Sequence, residues 1–94
     1  IIRQSRIDWV DAAGDYMCVH VGPKTLVART TMKKLEDQLN PDTFVRIHRS
    51  TLVNVSKVNR LEELGKGDCI LHLEGGVRLK ASRRYREYLM HLLT

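Results

Sequence analysis

Aromatic side chains are scarce in this sequence: one Trp, one Phe and three Tyr among 94 residues. Readers of single-stranded nucleic acid stack bases on exposed rings, so that mode has little to work with here. Long apolar runs are missing too. None approaches the roughly eighteen residues of a membrane span, and no secretory signal opens the chain. Cysteine is limited to Cys18 and Cys69. Both sit in apolar runs that read as strands, which favours reduced, buried thiols of a cytoplasmic protein over a disulfide framework. The opening Ile1-Ile2-Arg3-Gln4 lacks an initiator Met and reads as the start of a domain cut from a longer chain.

Catalytic and metal motifs are equally thin. Asp8 and Asp11 lie three apart on a strand and face opposite ways, so they make no converging carboxylate pair. Cys18 and His20 share a strand face, whereas Cys69 and His72 do not, and no tight knuckle spacing brings four ligands to one zinc ion. There is no G-x-G-x-x-G, no phosphate loop and no nucleophile elbow. Gly65, Gly67, Gly75 and Gly76 read as hairpin glycines. The expectation is a non-enzyme with no metal, no cofactor and no small-molecule substrate.

What the chain does have is a normal globular balance, 43% apolar and 29% charged, in a length that suits one domain. Lys and Arg number 16 against 11 Asp and Glu, a net charge of +5, which is compatible with a polyanionic partner. Strand patterns dominate. Ile7–Ala12, Tyr16–Val21 and Thr25–Arg29 are separated by the turns Ala13-Gly14-Asp15 and Gly22-Pro23-Lys24. Thr30 or Thr31 caps a short helix through Leu39, which Asn40-Pro41 stops. Phe44–His48 and Thr51–Asn54 flank a tight connection at Arg49-Ser50. Val58–Leu64, Cys69–Leu73 and Val77–Ala81 follow, joined by Gly turns that favour antiparallel pairing. Ser82 is the candidate cap of a last helix from Arg83 to about Leu93.

Two basic features stand out. Arg78, Lys80, Arg83, Arg84 and Arg86 crowd the end of the chain without an intervening acid. Arg83 and Arg84 fall in the expected first helical turn, where cations oppose the dipole. They suit either a surface kept for a polyanion or a solvated helix face whose stems cover apolar area. The second feature is Arg46-Ile47-His48-Arg49-Ser50 around the tight connection. Arginine forks match phosphate and guanine edges, and Ser50 can donate to a phosphate. An ordinary surface turn with His48 packed on the core is the alternative. A protein-interaction module with an acidic partner and an RNA-binding domain are the competing functional classes.

The run Phe44-Val45-Arg46-Ile47-His48-Arg49-Ser50-Thr51-Leu52-Val53-Asn54 resembles the signature of the LytTR DNA-binding family, roughly F-x-R-[VI]-H-[RK]-S-[YF]-[IL]-V-N. Thr51 departs from it, where an aromatic is common. Asp8 to Tyr16 resembles the family's opening, Met32 to Leu39 its short helix, and Leu79 to Tyr85 its ending. The likeness spans residues 7–93. It implies a mainly β fold, an elongated arrangement of small antiparallel sheets with a short central helix and a C-terminal helix, as a single domain over residues 1–94. It implies binding of double-stranded DNA by loops entering successive major grooves, with bending of the DNA, on paired direct repeats filled by two protomers. It also implies a cytoplasmic transcription regulator, often a two-component response regulator with a receiver domain N-terminal to this one. Carried over residue by residue, Arg49, Arg84 and Tyr16 are expected to contact bases. Asp15, Arg46, His48, Ser50, Arg78, Lys80, Arg83 and Arg86 are expected to contact the backbone or support loops, with Arg46 and His48 equally open to a role in the fold. Asn54 and Ser82 are expected to be structural.

Overall fold

Period-two patterning yields eight strands: β1 (Trp9–Ala13), β2 (Tyr16–Val21), β3 (Lys24–Ala28), β4 (Phe44–His48), β5 (Thr51–Asn54), β6 (Val58–Glu63), β7 (Cys69–Leu73) and β8 (Arg78–Ala81). Two helices complete the chain, α1 (Met32–Gln38) and α2 (Arg86–Leu93). The computed structural model describes residues 2–94; Ile1, the first residue of the expected domain, lies outside the described residues. The strands form two antiparallel sheets, one ordered β3-β2-β1-β5-β4 and the other β6-β7-β8. The extents, 36 × 24 × 23 Å, give the elongated outline expected of the sequence.

Alternation sends each side of the larger sheet to a different core. Val45, Ile47 and Val53 meet Cys69, Leu71, Leu73, Leu79 and Ala81 of the smaller sheet, and Leu89 of α2 closes this core. From the opposite face Val10, Met17, Phe44 and Leu52 pack with Ile7, Met32 and Leu39 under α1. Strands β4 and β5 are therefore buried on both faces and tie the two cores together. Burying a side chain such as Leu52 or Leu71 stabilises by about 1.5–3 kcal/mol, and both are 0% exposed.

Local chemistry sets the ends of α1. The Thr31 hydroxyl, rather than Thr30, accepts from the Lys34 amide at 3.1 Å, satisfying one of the free N–H groups of the first turn. Beyond its last turn, Gln4 donates to the Gln38 carbonyl and accepts from the Asn40 amide. The last helix differs from the sequence expectation. Arg83–Tyr85 wind as a 3-10 turn and the α-helix begins only at Arg86. The Tyr85 amide bonds back to the Ser82 carbonyl at 3.0 Å, while Asp68 Oδ1 takes the Arg83 amide at 3.1 Å. Ser82 thus caps with its backbone alone; the side-chain cap comes from Asp68. No helix among the described residues is long and apolar enough to cross a membrane.

Candidate nucleic-acid interface

Strand register brings three turns to one end of the molecule. Ala13 pairs with Tyr16 across the Gly14-Asp15 turn, and Gly14 takes φ +62°, which suits the first central residue of a type II′ hairpin. Asp11 pairs with Thr51, so the β4–β5 turn lies beside the β1–β2 turn. The Ser50 carbonyl fixes that neighbour by accepting from the Ala12 amide at 2.9 Å. On the other flank the Ser82 amide donates to the Ile47 carbonyl at 2.9 Å. A bulge between Arg46 and His48 frees the Ile47 carbonyl from the β5 ladder for this bond. The turns therefore form one row: Asp15-Tyr16, then Arg49-Ser50, then Ser82-Arg83-Arg84.

Side chains on the row differ in how free they are. Tyr16 is 46% exposed, and Asp15 beside it is exposed at the tip. Arg49 is exposed and has no ion pair among the described residues. His48 is half-buried and braces this turn: its Nδ1 accepts from the Ser50 amide at 3.2 Å and lies 2.9 Å from the Ser50 hydroxyl. Since the amide must donate, Nδ1 is an acceptor and the neutral ring carries its proton on Nε2. Arg83 and Arg84 are exposed, without ion pairs among the described residues. The Arg84 guanidinium lies 5.7 Å from the centre of the Tyr85 ring, within cation–π range.

The remaining expected residues sit off the row or are already engaged. Arg46 points to the α1 side, 3.9 Å from Glu36, with its Nε buried and unpartnered. Arg86 pairs with Glu63 and donates to the Gly67 carbonyl. Lys80 lies 4.0 Å from Asp68. Arg78 is exposed on the outer face of β8, opposite His72 in the strand register. There His72 bonds Glu62 at 2.9 Å, and this bond, reinforced by the charges of Arg60 and Arg78, holds the Glu62 carboxyl below the ordinary glutamate value. Asn54 is 0% exposed. Its Nδ2 donates to the Ile7 carbonyl and its Oδ1 accepts from the Ser56 amide and hydroxyl.

Sequence reasoning missed two exposed cations that the fold places beside the row. Arg29 follows β3 and borders the same depression as Gly14 and Asp15. Lys66 occupies the β6–β7 turn, whose Gly67 packs against Arg83. The only signal for Lys66 was its place between two turn glycines. A third feature, the stacking of Trp9 on His20 at 3.8 Å with His20 bonded to Asp11, was legible only as alternation. Of the two cysteines expected to be buried, Cys69 is 0% exposed and burial pushes its thiol up, whereas Cys18 on β2 is only half-buried; no group of three His, Cys, Asp or Glu among the described residues is placed to hold a metal ion.

Comparison with known proteins agrees with this fold. The profile of the LytTr DNA-binding domain matches residues 1–94. The transcriptional regulatory protein LytR of Staphylococcus aureus strain N315 is 21% identical over 85 residues, covering 90% of this chain and 35% of that protein. LytR of strain MW2 matches to the same extent, so the chain spans about a third of the length of these relatives. A solved LytTr DNA-binding domain from Bacillus cereus superposes with a TM-score of 0.90 at 25% identity, covering 98% of this chain and 84% of that one.

Proposed function

The chain belongs to the LytTR DNA-binding domain family, and from that premise we propose that its row of turns reads duplex DNA. The alignment of the Asp15-Tyr16, Arg49-Ser50 and Ser82–Arg84 turns at one end carries this reading. Each is a short tip fixed to a neighbour by a backbone hydrogen bond or by register. Small rigid tips fit a major groove about 12 Å wide. A recognition helix is not required. Helix α2 buries Leu89 in the core, and Arg86 at its start is tied to Glu63.

The row is shorter than the spacing of successive major grooves, so contact with both calls on side-chain reach and on bent DNA. Strands lie about 4.8 Å apart, so the three steps from β2 to β4 span about 14 Å, and the Ser82–Arg84 turn lies roughly one step further. Major grooves on one face of a duplex recur about every 34 Å. Long Tyr and Arg side chains supply part of the difference, and bending of the DNA toward the protein supplies the rest at about 1–6 kcal/mol. Arg49 and Arg84 read base edges in this account, with Tyr16 in the outer groove. Asp15 braces its loop or accepts from a cytosine amino group, since it would repel a phosphate. Ser50 and Arg83 hold phosphates, His48 sets the central turn, and Arg46 and Arg86 serve the fold. Arg78 and Lys80 lie on the flank, where they add long-range attraction. The domain acts as the output part of a transcription regulator, with a receiver or other regulatory region N-terminal to it, and two copies fill paired direct repeats. No catalytic step enters the account.

Fluorescence anisotropy with random duplex, single-stranded DNA and RNA, at two salt concentrations, tests it. The duplex is expected to bind best, with affinity falling steeply as salt rises. Preference for single strands or RNA, or a salt-independent affinity, would overturn it. Selection from a random duplex pool would then define the site.

A further inference from the structure

The row of turns does not stop at the residues that resemble the family signature. It continues at each end to an exposed cation, Arg29 at one and Lys66 at the other, neither with an ion pair among the described residues. Ala28 pairs with Met17, so Arg29 emerges beside the Gly14-Asp15 turn, and both border one depression. At the far end, a Cβ added to Gly67 would lie 3.1 Å from the Arg83 Cβ. The Gly65–Gly67 turn is thus pressed against the Ser82–Tyr85 segment, and it is further joined to α2 by the bond from Arg86 to the Gly67 carbonyl. Lys66 is carried at the tip of this fixed turn.

The backbone at Lys66 supplies a second, independent observation. Its φ is +67°, and it is the one non-glycine with positive φ among the described residues. The left-handed region penalises a Cβ, and Gly or Asn is the residue that normally fills it. Glycines stand on both sides, so the turn is built from residues that tolerate the conformation except at this position. A lysine there keeps a strained backbone and gains only an exposed charge. Strain retained at an exposed tip points to a use outside folding.

We infer that Arg29 and Lys66 are the two outer phosphate contacts of the DNA-binding row, holding the backbone on either side of the base-reading turns. This rests on the duplex-binding reading of the row and extends it to residues outside the family signature. Phosphate contacts fix the protein on the duplex without reading sequence. A pair at the two ends of the row also holds the DNA against it along its length.

The test measures affinity for a random duplex and for a selected duplex across a salt series, with the parent chain, Lys66→Gly, Lys66→Arg, Arg29→Ala and the control Lys24→Ala. Lys24 is exposed at the start of β3, opposite Val21 and therefore at the other end of the sheet. Each lost phosphate contact should lower the slope of log affinity against log salt by about one. Across a fourfold rise in salt, the loss of affinity should shrink by about 3.5-fold per contact removed. Lys66→Gly and Arg29→Ala should weaken both duplexes alike and leave their ratio unchanged, whereas Lys66→Arg should keep the parent slope. Lys66→Gly should also melt no lower than the parent, because it relieves the strained position. Slopes for Lys66→Gly and Arg29→Ala equal to those of the parent and of Lys24→Ala would overturn the inference while leaving the duplex-binding reading intact. A parent that does not prefer duplex would overturn both.

Discussion

Replacing Asn54 by Ala should be among the most damaging polar-to-apolar changes in this domain. Asn54 is fully buried and uses both ends of its amide. Nδ2 donates to the Ile7 carbonyl at 2.9 Å, and Oδ1 accepts from the Ser56 amide at 3.0 Å and the Ser56 hydroxyl at 2.7 Å. Removing the side chain leaves the Ile7 carbonyl without this donor beside a buried side chain, at a cost of about 1–3 kcal/mol. Ser56 is exposed, so water recovers most of its lost bonds. Its share is about 0.5–1 kcal/mol. The sum is about 3 kcal/mol, against a total stability of roughly 5–15 kcal/mol for a domain. For a chain of this size each kcal/mol lowers Tm by roughly 4–8 °C, so the midpoint should fall by about 12–24 °C. Asn54→Asp keeps the acceptor but sets a carboxylate against the Ile7 carbonyl. It should be at least as harmful at neutral pH and less so in acid, where a protonated carboxyl can donate. Urea titration and circular dichroism melts read both. A loss under about 1 kcal/mol for Asn54→Ala would show that the Ile7 carbonyl does not depend on this donor.

Arg49→Ala should weaken binding to a selected duplex by about 1–3 kcal/mol, the range of one good bidentate base contact, and weaken random duplex less. Equal losses on both in a binding titration would make Arg49 a backbone contact. Glu62 contributes through a pKa held below its unfolded value by His72, so its contribution is present at neutral pH and is lost as pH falls through the folded value. Glu62→Gln should melt below the parent at pH 7 and converge with it in strong acid; parallel melts over that range would show the His72 bond has no stabilising effect. Cys69, fully buried with a raised thiol pKa, should resist maleimide in the folded protein and react once urea unfolds it, as mass spectrometry of labelled peptides can read. Rapid native labelling at Cys69 would mean that the core between the two sheets opens readily.

Much of the fold was written in local patterns. The alternation of Phe44-Val45 with Leu52-Val53 and the glycine turns located the strands, because burial on a pleated sheet repeats every two residues. What sequence could not supply was partners distant along the chain. The first turn of the last helix is set by Asp68, 15 positions before Arg83, so Ser82 read as its side-chain cap. Arg86 looked as free as Arg83 until Glu63, 23 positions away, was seen to hold it. Arg46 and Arg49 sit in one motif, yet the strand directs Arg46 toward α1 while the turn exposes Arg49. Arg29 and Lys66 carried no pattern of their own; only the packing of their turns brings them to the row.

The central claim, that the turns at one end form the DNA surface, is tested most directly by mapping amide chemical shifts as duplex is added to the labelled domain. Shifts should concentrate at Asp15, Tyr16, Arg49, Ser50, Arg83 and Arg84, while Gly22, Lys24, Ser56 and Gly75 at the opposite end stay in place. Shifts confined to that opposite end, or to the exposed Glu87, Tyr88 and His91 of α2, would contradict it.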